Sequence, residues 1–313
     1  MKGRISFRPG AVQHIYQKTR NGYLIFYSGR DCLIFFTIIS MAARRCGVRV
    51  IGLCLMVDHI HVLVEASSKE QLSRFVHLYT MTFSKAFNKE YPQADLSFCS
   101  PFGRASKVSE KKIKTAISYL YNNPVEKQLC DRAELSRWNF LAYATSHHPF
   151  SEKLVENRAR WNLRNALHEI RIDYAQGRPL NYAQLARITK PLTPKELAQL
   201  SDFIIKTYNF IDYESLKSHY RSFDDMVLAI NTNTGSEYDL KEDFTAGSDR
   251  IYTKMTSFLL QSKEVTNIGD LLRRPLEERR RLWTPLSIRT GASARQLSKY
   301  LHLPCAVQPL DIQ

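Results

Sequence analysis

No two of the six cysteines (Cys32, Cys46, Cys54, Cys99, Cys130, Cys305) form a Cys-x-x-Cys pair. That spacing argues against both a zinc ribbon and a disulfide framework, and free thiols in a reducing compartment are expected. Long apolar runs are missing too: nothing approaches the roughly 18 residues that a membrane span requires. The start, MKGRISFRPG, has no apolar leader core, so a soluble, cytoplasmic, nucleoid-associated protein with no membrane partner is expected. No fixed-period repeat is present, and strand-forming sequence becomes scarce after about residue 150.

Acidic side chains are also in short supply. Against 45 Lys and Arg stand 30 Asp and Glu, a formal balance of +15. Residues 1–150 carry 21 basic and 10 acidic residues, giving +11, and residues 151–313 carry 24 and 20, giving +4. A polyanionic partner follows, nucleic acid foremost, with ribosomal surfaces and membrane headgroups as other surfaces that attract basic proteins. A length of 313 residues favours two domains, or one domain with an extension. The composition shift places the boundary near 150, between a first domain at 1–150 and a mainly helical accessory region at 151–313.

Within the first domain the pattern alternates. AVQHIYQKT predicts a strand, broken by Asn21-Gly22. DCLIFFTIISMAARRCG predicts a buried helix with Asp31 as N-cap and Gly47 at its end. VRVIGLCLMV and HIHVLVEA follow as two apolar strands joined at Asp58, and KEQLSRFVHLYTMTFSKAFNKEY as a long amphipathic helix behind a capping-type SSKE. An extended stretch, LSFCSPFGRASK, leads to a helix from about Ser109 to Asn122, which Pro124 is expected to end. Strand, helix, two strands, helix, strand, helix is an α+β order, with one antiparallel sheet and helices on one face.

Two clusters carry chemistry. In LMVDHIHVLVE, strand alternation puts His59 and His61 on one face about 7 Å apart. Two imidazoles so placed can grip one divalent ion; alternatively both simply pack or hydrogen-bond in the strand. In KKIKTAISYLYNNPVEKQLC, Tyr119 and Asn123 share a helix face, while Tyr121 is rotated by about 200°. A phenol and a carboxamide then project together, or the tyrosine pair is ordinary core patterning.

Taken together, DHIH followed by YLYNNPVEKQLC resembles the HUH single-tyrosine transposases, most nearly the REP-associated (IS200-type) tyrosine transposases. The signature is His-hydrophobe-His plus a Tyr-x-x-x-Asn-Pro-Val helix, and the likeness spans about residues 8–145. It implies a ferredoxin-like sheet core, metal ligation by His59, His61 and Asn123, and Tyr119 as nucleophile. Glu126 departs from the arginine usual there, and Tyr121 is a second candidate nucleophile. The resemblance implies DNA cleavage and rejoining on single-stranded or hairpin DNA through a 5′-phosphotyrosine, with a homodimer left open. A phenol with a pKa near 10 needs a base or a cation to become an effective nucleophile. Two imidazoles and an amide suit Mg²⁺ or Mn²⁺ with positions open to phosphate.

Around this centre, Arg104, Lys107, Lys111, Lys112 and Lys114 are candidate backbone contacts, or a solvated helix start. His14 and His77 are expected to be structural, and His147 and His148 receive no role. Near the end, residues 271–304 predict two helices split by TGAS, a helix-turn-helix pattern with Arg295, Gln296 and Lys299 outward toward DNA. Two competing functions are a non-catalytic DNA-binding regulator and a hydrolase of small substrates. The latter requires a carboxylate near the histidines, and alternation puts Asp58 on the opposite face.

Overall fold

A computed structural model of the chain describes residues 7–232 and 248–304. The sequence NTNTGSEYDLKEDFTAGSDR at 231–250 is polar and predicts an exposed connection; most of it, and Cys305, lie outside the described residues.

Strand β1 (Val12–Lys18), helix α1 (Gly29–Cys46), strands β2 (Arg49–Leu55) and β3 (His59–Glu65), helix α2 (Lys69–Glu90) and strand β4 (Gly103–Lys107) follow the expected order. They form one antiparallel sheet in the order β2-β3-β1-β4, which is the ferredoxin-like arrangement. Alternation along β3 sorts its side chains cleanly. Ile60, Val62 and Val64 join α1 and α2 in the main apolar core. Leu63 instead joins a second apolar cluster with Ile117, Leu120 and Tyr121 of helix α3 (Glu110–Glu126). Helices α1 and α2 thus share one sheet face, and α3 closes the other. Because β3 is covered on both sides, six of its seven residues are buried.

Helix α1 starts one turn earlier than its sequence suggests. Ser28 is the N-cap, and Asp31 stands at the third helical position, where its carboxylate accepts from the Ser28 backbone N–H at 2.9 Å. Asp31 is therefore the acidic half of a capping box, and its other oxygen takes a 2.9 Å bond from the Tyr182 hydroxyl. Gly47 ends the helix in the left-handed region at φ 64°, as a C-terminal glycine should. Helix α3 also differs from expectation: it continues through Pro124 to Glu126. Proline removes one backbone donor, but the carbonyls of Asn123, Pro124 and Val125 still accept from Lys127, Leu129 and Gln128, so the last turn holds.

Beyond residue 150 the described chain is helical. Helices α4 (Trp161–Ala175), α5 (Tyr182–Thr189), α6 (Pro194–Thr207), α7 (Tyr213–Lys217) and α8 (Phe223–Thr232) are followed by α9 (Arg250–Gln261), α10 (Ile268–Arg273), α11 (Leu276–Arg281), α12 (Trp283–Thr290) and α13 (Ala294–Leu301). Leu167, Ile170, Leu185 and Ile204 enter the same apolar core as Phe35, Phe36 and Ile39 of α1, so that core is continuous across residue 150. Helices α9 to α13 build a separate core around Met255, Leu271, Leu286, Leu297 and Leu301, joined by Leu24. Among the described residues, no helix is long and apolar enough to cross a membrane.

Candidate active site

Strand β3 presents His59 and His61 to the α3 side, their ring centroids 4.9 Å apart and their planes nearly perpendicular. Helix α3 brings Tyr119 edge-on to His61, with centroids 5.4 Å apart. One turn on, the Asn123 amide nitrogen lies 3.2 Å from His61 Nε2. Amide oxygen and nitrogen are assigned by their network, so either end of Asn123 can face that ring. Tyr121 points elsewhere: its ring is fully buried with Leu120 and Met226, and its hydroxyl makes no hydrogen bond. A Cβ at Gly52 would stand 3.4 Å from the Tyr121 oxygen, so this ring packs closely over β2. Burial pushes the Tyr121 phenol well above its ordinary pKa, the wrong direction for a nucleophile.

Three residues that the sequence reading left outside the site complete the cluster. His14 Nε2 lies 3.0 Å from His61 Nδ1, because β1 pairs with β3 and sets His14 opposite Leu63. Expected to be merely structural, His14 thus touches a site residue directly. Tyr16, opposite His61 in the register, places its ring 5.3 Å from both His59 and His61. Asp58 corrects the alternation argument. It precedes β3 rather than belonging to it, and its Oδ1 lies 2.6 Å from His59 Nδ1. The two-residue period of β1 carries the signal for His14 and Tyr16, but only the strand pairing reveals their neighbour.

The electrostatics follow from burial. His61, fully buried, is held well below the usual imidazole pKa by desolvation and then by His59 and His14. His14 is lowered by desolvation and then by the Lys107 charge. Both rings are therefore neutral near pH 7, the form in which an imidazole nitrogen can coordinate a cation. Burial alone would raise the Asp58 carboxyl, but its bond with His59 and the charge of Lys299 hold it well below the carboxylate range.

These residues suit a divalent ion. His59 has its Nδ1 held by Asp58, and His61 has its Nδ1 held by His14, the outer bonds that orient metal-binding imidazoles. That leaves an Nε2 on each ring. Asn123, whose amide lies 3.2 Å from His61 Nε2, would offer its carboxamide oxygen as a third ligand beside the two imidazoles. Among the described residues, no group of three His, Cys, Asp or Glu side chains assembles as a metal site, so such a centre requires the amide.

Comparison with known proteins bears on this geometry. Residues 17–123 match the family model described as "Transposase IS200 like", a stretch that ends on Asn123 and contains His59, His61 and Tyr119. Over that segment the chain is similar to IS200-like transposases. No curated protein matches the chain. A solved structure described as "Structure of the REP associates tyrosine transposase bound to a REP hairpin" is similar at 12% identity over 44% of this chain and 81% of that one, with a TM-score of 0.35. A likeness that distant carries no weight for the geometry of the site.

Two polar residues from beyond residues 17–123 act on Asp58 or are influenced by it. Lys299 of α13 sets its Nζ 2.5 Å from Asp58 Oδ2. Asp249, just before α9, is pushed up to about 6 by burial and by Asp58, and its backbone N–H bonds the Lys127 carbonyl at 3.0 Å. A cleft of about 360 Å³ is lined by Met56, Val57, Pro124 and Trp138; Val57 and Pro124 are the chain neighbours of Asp58 and Asn123.

The predicted DNA contacts separate. Lys111 and Lys112 are exposed on the first turn of α3, and Lys114 lies over the Tyr220 ring at 5.4 Å. Arg104 bonds Gln13 at 3.0 Å, and strand alternation turns it to the sheet face opposite Tyr119. Lys107 is 1% exposed: paired with Val12 in the β1–β4 register, it points beneath α3 rather than outward. At the C-terminus, Gly291 and Ser293 do separate α12 from α13. Arg295 is exposed, whereas Gln296 spends its side-chain oxygen on the Ser293 cap, and Lys299 faces the histidines instead of solvent.

Proposed function

We propose that the chain nicks and rejoins DNA through a covalent tyrosine intermediate, with Tyr119 as nucleophile and His59, His61 and Asn123 as the ligands of Mg²⁺ or Mn²⁺. One observation carries this reading: a phenol and a carboxamide from one helix meet the same imidazole, Tyr119 at 5.4 Å between rings and Asn123 at 3.2 Å between atoms. A divalent ion bound there would supply Lewis acidity to the scissile phosphate. The Tyr119 oxygen forms the new bond to phosphorus, the bond to the 3′ oxygen breaks, and that oxygen takes up a proton. A 5′-phosphotyrosine and a free 3′ hydroxyl result, so bond energy is conserved for rejoining without ATP. His14 and Asp58 hold the two imidazoles, and the exposed Lys111 and Lys112 draw in the phosphate backbone. Single-stranded or hairpin DNA is the proposed substrate, since the net charge of +15 needs no base pairing to act.

The test is covalent capture. Purified protein with Mn²⁺ and a panel of labelled single-stranded and hairpin oligonucleotides is expected to give a denaturation-resistant adduct, lost in Tyr119→Phe. An adduct that survives Tyr119→Phe and vanishes in Tyr16→Phe or Tyr121→Phe would overturn the assignment. A second reading, a DNA-binding regulator without catalysis, is favoured by the burial of Tyr119 at 2% exposure. It predicts DNA affinity that neither EDTA nor Tyr119→Phe changes, with no cleavage of any structured substrate.

A further inference from the structure

We propose that Lys299, delivered by the C-terminal helix α13, is a positioning residue for the His59 imidazole, so that the C-terminal helical region forms part of the catalytic unit. The two residues in contact stand 241 positions apart in sequence. Asp58 uses both carboxylate oxygens: Oδ1 lies 2.6 Å from His59 Nδ1, and Oδ2 lies 2.5 Å from Lys299 Nζ. With each oxygen committed, the carboxylate cannot swing without breaking one bond. The pinned Nδ1 fixes the ring orientation and turns Nε2 toward the site. The side chains of Lys299 and Asp58 are only 17% and 19% exposed, so this pair is less screened than an ion pair on an open surface.

The lysine is itself held in place. Its backbone carbonyl accepts from the Leu24 N–H at 3.2 Å, and the next carbonyl, of Tyr300, accepts from the Tyr27 hydroxyl. His302, just past the helix, sits 3.0 Å from the carbonyls of both Ala94 and Leu24. Helix α13 is therefore fastened to the segment between β1 and α1 that flanks the site. An ammonium bonded to Asp58 is committed to that carboxylate, which separates this role from the DNA contact that a helix-turn-helix pattern predicts.

The inference rests on His59 holding an ion, and the experiment keeps the two apart. Mn²⁺ affinity of the full chain is measured by calorimetry for wild type, His61→Ala, Lys299→Met and Lys299→Arg, alongside hairpin DNA affinity in EDTA and thermal melting. Lys299→Met is expected to weaken Mn²⁺ binding about ten-fold, the lower end for outer-shell substitutions. Lys299→Arg should recover most of that loss, and DNA affinity in EDTA should stay within about two-fold. Unchanged Mn²⁺ affinity in a folded Lys299→Met overturns the proposal, as does a fall in metal-free DNA affinity with metal binding intact. If wild type binds no Mn²⁺ and His61→Ala changes nothing, the metal reading fails and takes the positioning role with it. Loss in His61→Ala with none in Lys299→Met removes the positioning role alone. Should Lys299→Met not fold, Lys299→Gln is compared in wild-type and Asp58→Asn backgrounds. The proposal requires its effect on Mn²⁺ affinity to disappear in Asp58→Asn, and additive losses would refute it.

Discussion

The sheet face under α3 and the C-terminal helices both deliver polar side chains to His59 and His61, but by different physics. On the sheet face, local periodicity does the work: two-residue alternation sets His59 with His61 and His14 with Tyr16, and a four-residue helical step sets Tyr119 with Asn123. In the C-terminal region no local period points at the site. Lys299 arrives because a separate apolar core, with Leu271, Leu297 and Leu301, packs α13 against the loop after β1. Geometry produced by a strand or a helix survives most substitutions nearby, whereas geometry produced by docking depends on the docking interface.

That contrast can be broken or sharpened experimentally. The largest effect is expected in Tyr119→Phe: adduct formation should fall at least about 1,000-fold, as removing a nucleophile does, with Mn²⁺ affinity retained. Adduct formation within ten-fold of wild type would end the special standing of the α3 face. Next, Leu301→Ala opens a cavity in the C-terminal core and is expected to cost about 2 to 5 kcal/mol in chemical denaturation. If Lys299 acts as proposed, it also lowers Mn²⁺ affinity without touching the sheet; retained affinity would show that docking is irrelevant to the site.

Acid should weaken the docked region as well as the sheet face, where His14 and His61 are also held below the ordinary imidazole pKa. His302, buried between two carbonyls, has its pKa lowered from 6.5 to about 4 by desolvation. Between those pH values the unfolded chain binds a proton that the folded chain excludes, so stability falls as pH drops from about 6.5 to about 4. The loss from this group is at most about 3 kcal/mol. It should appear as C-terminal amides losing hydrogen-exchange protection as pH falls through that window, with the loss reduced in His302→Gln; an identical acid response in His302→Gln would contradict it. The smallest effect belongs to the exposed lysines of α3. Lys111→Ala and Lys112→Ala should each reduce the salt dependence of single-strand binding by about 0.7 in log–log slope, and an unchanged slope would remove them from the DNA path.

How much of this was legible in sequence follows the same division. The strand and helix order of the first domain, the shared face of His59 and His61, and that of Tyr119 and Asn123 all rest on periods that survive folding, and the structure has them. Asp58 was misjudged because alternation was carried one residue beyond the strand, into the turn, where it no longer holds. His14 looked structural because which strand lies beside β3 is a matter of sheet order, invisible in β1 alone. Lys107 looked like a surface charge until its pairing with Val12 turned it under α3. The extension of α3 through Pro124 was missed because proline's cost in the last turn is a single donor. Lys299 was read as an outward DNA contact, and its place beside Asp58 could not have been found, since that partner lies 241 residues away and is chosen by packing between cores.

The most direct measurement is the site of attachment. Protein incubated with Mn²⁺ and the cleaved oligonucleotide is digested with protease and nuclease, and the remaining phosphonucleotide is mapped by tandem mass spectrometry. The account predicts the modification on Tyr119, on the peptide that also carries Asn123. A modification on Tyr16 or Tyr121, or cleaved DNA with no modified tyrosine, would contradict it.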